Sequence, residues 1–281
     1  MEMLNEKKLV VLGGDGIIAS SIKEFDYRFN IDFFSRNSIL NNFDLSNPSN
    51  FDYRKFSKNN IILFLSAISK PIICQTNKTE SYKINVINTI EAIQNLLNTG
   101  ATIIFASTDM VYGYTQKKIF YETDEKNPTC NYSEWKSFIE EFFFKYENFK
   151  IFRFSQCVNS TDSFSKYVKN CIIEDEDISI YKGFCRNIFD SNLLQNLMHA
   201  IVFKSIDFKI LNIAGDENID RIKFVTWISQ IYPKITLLDY KSNDVDLISK
   251  ISLSNNELKK FISEKKIEFD FNNWLKKINK T

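Results

Sequence analysis

A short apolar run over residues 8–12, Lys8 to Leu12, leads straight into Gly13, Gly14, Asp15, Gly16, Ile17, Ile18 and Ala19. An unbroken apolar run bounded by glycines fits a strand buried on both faces, the kind found in parallel sheets covered by helices. Strand, glycine turn and helix follow in the order that a dinucleotide site requires. Gly13 lets the chain turn sharply and Gly16 lets backbone N–H groups approach a pyrophosphate. Ala19 is small enough for the new helix to pack on the strand, and the helix start presents partial positive charge to the phosphates. The spacing is Gly-x-x-Gly-x-x-Ala, so Gly13, Asp15, Gly16 and Ile17 are the candidate phosphate contacts.

The same alternation continues. A second apolar run, 31–34, ends at Ser35 and Arg36, where the next strand of such a unit meets the adenosine ribose. A cation and a hydroxyl there suit a 2′-phosphate, which tilts the cofactor toward NADP(H) over NAD(H). Asp44 and Leu45 follow. A third strand, 60–65, closes on Ser66 and Ala67, small residues that let a cofactor lie across the strand end. From 77 to 97 the pattern is helical, with Ile84, Ile87, Ile90, Ile93, Leu96 and Leu97 as its apolar face and Asn85 as a polar residue within it. A fourth strand, 101–106, runs into Ser107, Thr108, Asp109, Met110, Val111, Tyr112 and Gly113, placing two hydroxyls at a carboxyl edge, where open α/β sheets bind ligands. Tyr132 and Lys136 are four residues apart, so on a helix they share one face. That helix draws its apolar positions from Phe138, Ile139, Phe142 and Phe143. A fifth strand spans 150–154. The prediction is an α/β fold: a Rossmann-like, doubly wound parallel sheet.

Beyond Gln156 the alternation loosens. A helix is read over 163–173, strands over 178–181 and 187–189 around a turn at Gly183 with Arg186 between them, and a helix over 190–203. A core strand over 208–215, a helix over 220–231, a strand over 235–238 and two short helices near 255–262 and 271–278 follow. No linker rich in Pro, Gly or Ser separates two halves. Residues 1–155 form the dinucleotide-binding core, segments at about 190–215 return to it, and 156–281 are mainly a smaller, interleaved C-terminal substrate-binding lobe.

Composition narrows the options. An apolar fraction of 44%, a charged fraction of 25% and a net charge of +1 give no electrostatic pull toward nucleic acid or anionic membranes. No apolar run reaches membrane-spanning length and the N-terminus lacks a signal-peptide core, which reads as a cytoplasmic protein without membrane partners. Cys74, Cys130, Cys157, Cys171 and Cys185 are odd in number and scattered, against both a disulfide framework and a metal site. The single histidine, His199, sits in an apolar periodic stretch and reads as structural, which excludes most His-based catalysis.

Together the Gly13, Gly16, Ala19 loop, Asp44-Leu45, Ser66-Ala67, Asn85-Val86, Ser107 to Gly113, Tyr132-x-x-x-Lys136 with Glu140, and Asn212 to Gly215 resemble the extended short-chain dehydrogenase/reductase superfamily. The nearest type is that of the dTDP-4-dehydrorhamnose reductases and related NAD-dependent epimerases and dehydratases. The resemblance is specific over the first 155 residues and holds in outline thereafter.

It implies that Tyr132 exchanges a proton with the substrate, that Lys136 lowers the Tyr132 pKa and holds nicotinamide ribose hydroxyls, and that Thr108 orients the substrate oxygen. Thr108 is preferred to Ser107 because it stands three residues before Val111, as the family's catalytic hydroxyl does. Ser107 and Asp109 then fall among the substrate contacts, and Arg186 matches in outline an Arg that meets a substrate diphosphate. The departures are Ala19 for the last glycine, Asp15 inside the phosphate loop, and Ser133 and Trp135 within the Tyr–Lys pentad. The function implied is NADP-dependent reduction of a keto group on a nucleotide-activated deoxysugar for polysaccharide biosynthesis, with a nucleotide sugar as partner and a homodimer as the assembly left open. The alternatives are an epimerase or dehydratase retaining NAD, and a non-catalytic NADP-binding regulatory subunit.

Overall fold

The computed structural model describes residues 7–113, 119–181, 185–238 and 250–279. Its centre is a sheet of six parallel strands: β1 (Lys8–Leu12), β2 (Ile31–Phe34), β3 (Asn60–Phe64), β4 (Thr102–Thr108), β5 (Phe149–Phe154) and β8 (Ile210–Ile213), in the order β2-β1-β3-β4-β5-β8. Each apolar run serves two cores at once. In β1, Leu9 and Val11 face one side with α1 (Ile17–Ile22) and α7 (Ser191–Phe203), while Val10 and Leu12 face the other with α4 (Thr89–Asn98) and α5 (Asn131–Phe143). Burial on both faces is why these strands read as continuous hydrophobic runs. The chain reverses direction across the sheet beside β1, with β2 on one flank and β3 on the other, and ligands in such sheets bind at that crevice. Outside β2 the ladder shrinks to one parallel bridge, Ser35 to Asn42.

Two elements differ from their sequence pattern. The helix expected over 77–97 begins at Pro71 and proceeds through α2 (Pro71–Thr76), α3 (Lys78–Tyr82), a π-helical turn (Lys83–Asn88) and α4. The wider turn shifts the phase of the apolar face, leaving Ile87 exposed and burying Asn85 and Asn88. On α5 the core-facing residues are Trp135, Ile139 and Phe143, whereas Phe138 and Phe142 are exposed. The phenylalanines lose the inner face because Lys136 and Glu140 occupy it, each with a buried polar partner.

The second part of the chain forms a third hydrophobic cluster, from Val158 to Ile278, around α6 (Ser163–Ile173), α8 (Arg221–Ile228) and α10 (Phe271–Asn279). The strands expected around Gly183 do not pair with each other: β6 (Ile178–Tyr181) lies parallel to β10 (Ile235–Leu238). β7 (Cys185–Asn187) lies between β11 (Lys250–Ile251) and β9 (Asn218–Asp220). Arg186 is therefore inside a strand, and Gly183 itself lies outside the described residues. His199 packs among the rings of Tyr27, Phe29 and Phe203. No helix among the described residues is long and apolar enough to cross a membrane.

Candidate active site

Because all six strands run the same way, their carboxyl ends share one edge, and the residues singled out in the sequence fall along it in two groups. The first surrounds the ends of β1, β2 and β3. Gly13 has φ +103, and a Cβ there would lie 2.7 Å from the Ser66 amide nitrogen, so both backbone conformation and contact with the β3 loop require glycine. Gly16 differs: its φ is −76, and a Cβ would meet only the Gly13 carbonyl, at 3.4 Å. Its missing side chain keeps open the space above the loop. The amides of Gly13 and Gly14 both donate to the Phe34 carbonyl, fixing the turn against β2, and α1 starts without a capping side chain. Asp15 turns aside to accept from Asn37 Nδ2 at 2.8 Å. Its carboxylate is held by the loop after β2.

Around this loop, the Lys23 amine donates to the Gly14 carbonyl at 2.7 Å. Ser35 is buried and Arg36 exposed. Asp44 Oδ1 accepts the Ser46 amide at 2.9 Å, closing a tight turn, and buried Leu45 offers its carbonyl to Asn88 Nδ2 at 2.8 Å. The Ser66–Ala67 ledge is pinned by Asn85, which accepts from the Ile68 amide at 2.8 Å and donates to the Ile68 carbonyl at 2.9 Å. Burying these two asparagines is what the π-turn achieves.

The second group sits at the end of β4. Lys136 Nζ donates to the Ala106 carbonyl at 2.7 Å and lies 4.4 Å from the centre of the Phe105 ring and 5.8 Å from that of Tyr132. Burial pushes its amine down to about 7, against the opposing pull of Glu140 and Cys74. Burial also raises the Tyr132 phenol well above its ordinary value, with Cys74, Asp109 and Cys130 acting in the same direction. At neutral pH Tyr132 holds its proton, contrary to the expected lowering of its pKa by Lys136. Thr108 Oγ1 donates to Asp109 Oδ1 at 3.3 Å and accepts the Met110 amide at 3.3 Å. Asp109 is buried. Arg186 Nε contacts its Oδ2 at 3.1 Å and Ser155 Oγ donates to the same oxygen at 3.2 Å. Desolvation raises the Asp109 pKa, partly offset by Arg186 and these hydroxyls. The Ser107 hydroxyl is buried with no hydrogen-bond partner among the described residues.

Sequence reasoning missed the support beneath this group. Arg153 on β5 and Glu140 on α5 form a buried ion pair at 2.7 Å, and Arg153 also donates to Tyr112 Oη at 2.7 Å and to the Glu122 carbonyl at 3.1 Å. Lys126 approaches Glu140 at 3.4 Å. The signal was available: a charge within the apolar strand 150–154 needs a buried partner. Ser155 and Asn88 carried no comparable signal.

A six-stranded parallel sheet with a glycine loop at its switch point has the architecture of the Rossmann-like dinucleotide-binding folds. The chain belongs to the RmlD substrate binding domain family, whose sequence model matches residues 7–229. It is 28% identical over 178 residues to the bifunctional polymyxin resistance protein ArnA of Wigglesworthia glossinidia brevipalpis, covering 53% of this chain and 27% of that protein, so the chain spans about a quarter of that relative's length. In fold it is similar to dTDP-4-dehydrorhamnose reductase from Bacillus anthracis in complex with NADP, with a TM-score of 0.80 and 16% identity over 98% of this chain and 100% of that one. It is also similar to UDP-glucose 4-epimerase from Thermotoga maritima with UDP-glucose, with a TM-score of 0.78 and 15% identity over 96% and 97% of the two chains.

Proposed function

We propose that this protein is an NADP-dependent reductase of a keto group on a nucleotide-activated deoxysugar. The observation that carries this reading is the meeting of Lys136 with the carboxyl end of β4, which brings the Tyr132 helix to the strand that bears Thr108. The glycine loop fits a dinucleotide: Gly16 leaves open the space that a pyrophosphate would need, and Asp15 is tied to Asn37, away from the position where its charge would repel one. A nicotinamide dinucleotide bound there supplies the hydride. Gly13 to Ile17 would hold its phosphates, Ser66 and Ala67 its length, Asp44 and Leu45 its adenine end, and Ser35 and Arg36 a 2′-phosphate.

The protein's own part is proton supply and positioning. Tyr132, kept protonated by its surroundings, acts as general acid toward the oxygen of the reduced carbonyl, a contribution of about 10²- to 10⁴-fold. Lys136, its amine pushed down to about 7, exchanges a proton near neutral pH, and it would hold ribose hydroxyls and recharge Tyr132. Thr108 orients the substrate oxygen, with Ser107 and Asp109 beside it. Arg186, buried against Asp109, would meet the substrate's anionic diphosphate. The 156–281 segment is the substrate-selecting part.

The test is NADPH turnover against a panel of nucleotide-linked ketosugars, with the Tyr132→Phe variant as control. Turnover lost in the variant supports the reading. Dinucleotide that copurifies and is never consumed points to an epimerase or dehydratase. Binding of NADP that only alters a partner enzyme's rate points to a regulatory subunit.

A further inference from the structure

The hydroxyl of Thr108 has one proton and two lone pairs. Its proton is directed to Asp109 Oδ1, and one lone pair accepts the Met110 amide. One lone pair remains, so in this arrangement Thr108 can only accept a hydrogen bond from a ligand. A carbonyl oxygen, or the alkoxide it becomes, needs the opposite. Asp109 Oδ1 accepts that hydrogen bond, while its Oδ2 pairs with Arg186, which reaches it from β7.

We propose that Asp109 is a positioning residue that sets the polarity of the Thr108 hydroxyl, holding its proton while Arg186 compensates the carboxylate and releasing it when an anionic substrate group claims Arg186. Deprived of its cation in an enclosed site, the carboxylate takes a proton from solvent. Neutral Asp109 then donates to Thr108, whose own proton turns to the substrate oxygen. Substrate capture in the C-terminal lobe and activation of Thr108 become one event. The charged and titratable groups bearing on Asp109 are Arg186 from β7 and Tyr132 from α5. Ser155, beyond β5, and Thr108 bring hydroxyls, and Met110 its amide. Burial favours the neutral state and Arg186 opposes it, so Arg186 controls the balance. The inference rests on the proposed function only in placing Thr108 against the substrate oxygen.

Infrared difference spectroscopy on the full chain reads Asp109 directly, because a protonated carboxyl has its own C=O band, identified by its loss in Asp109→Asn. In ligand-free Arg186→Met that band is expected at neutral pH, where the wild type lacks it. In case Arg186→Met does not fold, Thr108→Val supplies a second arm. Removing the donated hydrogen bond should move the acid titration of Asp109 upward by about one pH unit, a tenfold change in acid constant. A carboxylate that stays ionised in Arg186→Met, or an unmoved titration in Thr108→Val, overturns the proposal. For a ketosugar found by the panel, wild-type reduction should fall about tenfold per pH unit above the Asp109 titration, and Asp109→Asn should flatten that limb. Equal loss at every pH would reduce Asp109 to a structural role and also overturn it. A panel with no turnover would sink the reductase reading and leave the infrared result standing.

Discussion

Glu140 Oε2 lies 2.7 Å from Arg153 Nη2, and both side chains are almost wholly buried between α5 and β5. The pair sits one helical turn beyond Lys136, so it fixes the rotation of the helix that carries Lys136 and Tyr132. It also explains why Phe138 and Phe142 face outward: two ionisable residues and their partners hold the inner stripe.

Breaking this pair from one side should be costly. Glu140→Gln leaves the Arg153 charge buried without its anion and should destabilise the fold by about 3–5 kcal/mol, Arg153→Met should cost less because Lys126 still faces Glu140, and replacing both by apolar residues should recover much of the loss. Urea unfolding of the two single variants and the double variant checks this. Additive losses would show that the ion pair does not act as a unit.

Lys136 predicts a specific pH dependence of stability. Its amine titrates near 10.5 when unperturbed and about 7 in the folded protein. Between those values the unfolded chain binds the extra proton, so the contribution of Lys136 to stability rises with pH across that window, and its burial penalty is fully present below about 7. The stability of wild type minus that of Lys136→Met, from denaturant curves at several pH values, should increase from pH 7 toward 10. A flat difference would contradict the depressed pKa.

The two loop glycines should fail differently. Gly13→Ala meets both a positive φ and a backbone nitrogen at 2.7 Å, and should lower stability by about 1–3 kcal/mol. Gly16→Ala has neither problem and should leave thermal stability nearly unchanged while weakening dinucleotide binding, because its Cβ enters the open space above the loop. Calorimetric melting with NADP titration separates the two. Normal NADP affinity in Gly16→Ala would remove that space from the proposed site.

Tyr132→Phe should keep the fold and dinucleotide binding but lower ketosugar reduction by about 10²- to 10⁴-fold in kcat. The hydroxyl is the only group removed. Steady-state and single-turnover kinetics locate the loss in the chemical step. An unchanged kcat would assign the proton to another donor.

Much of this was legible in the residues. The runs at 8–12, 60–65 and 101–106 fixed a parallel sheet because only burial on both faces suits uninterrupted apolar strands. Gly13 was readable because a positive φ at a strand end favours glycine. The face of α5 was not: helical spacing marks Phe138 and Phe142 as apolar and cannot register that Glu140, four residues beyond Lys136, has a buried arginine waiting on β5. The π-turn at Lys83–Asn88 was hidden for a similar reason, since its phase shift serves the hydrogen bonds of Asn85 and Asn88 to Ile68 and Leu45, residues distant in sequence.

The sequence by itself determined the sheet and the glycine loop, because local periodicity and glycine stereochemistry depend on near neighbours. Only the tertiary structure decided the charges. That Lys136 is depressed, that Tyr132 is held protonated, and that Asp109 meets an arginine from β7 follow from burial and from partners 30 to 77 residues away. Desolvation and Coulomb energy act through space, and no spacing rule along the chain encodes them.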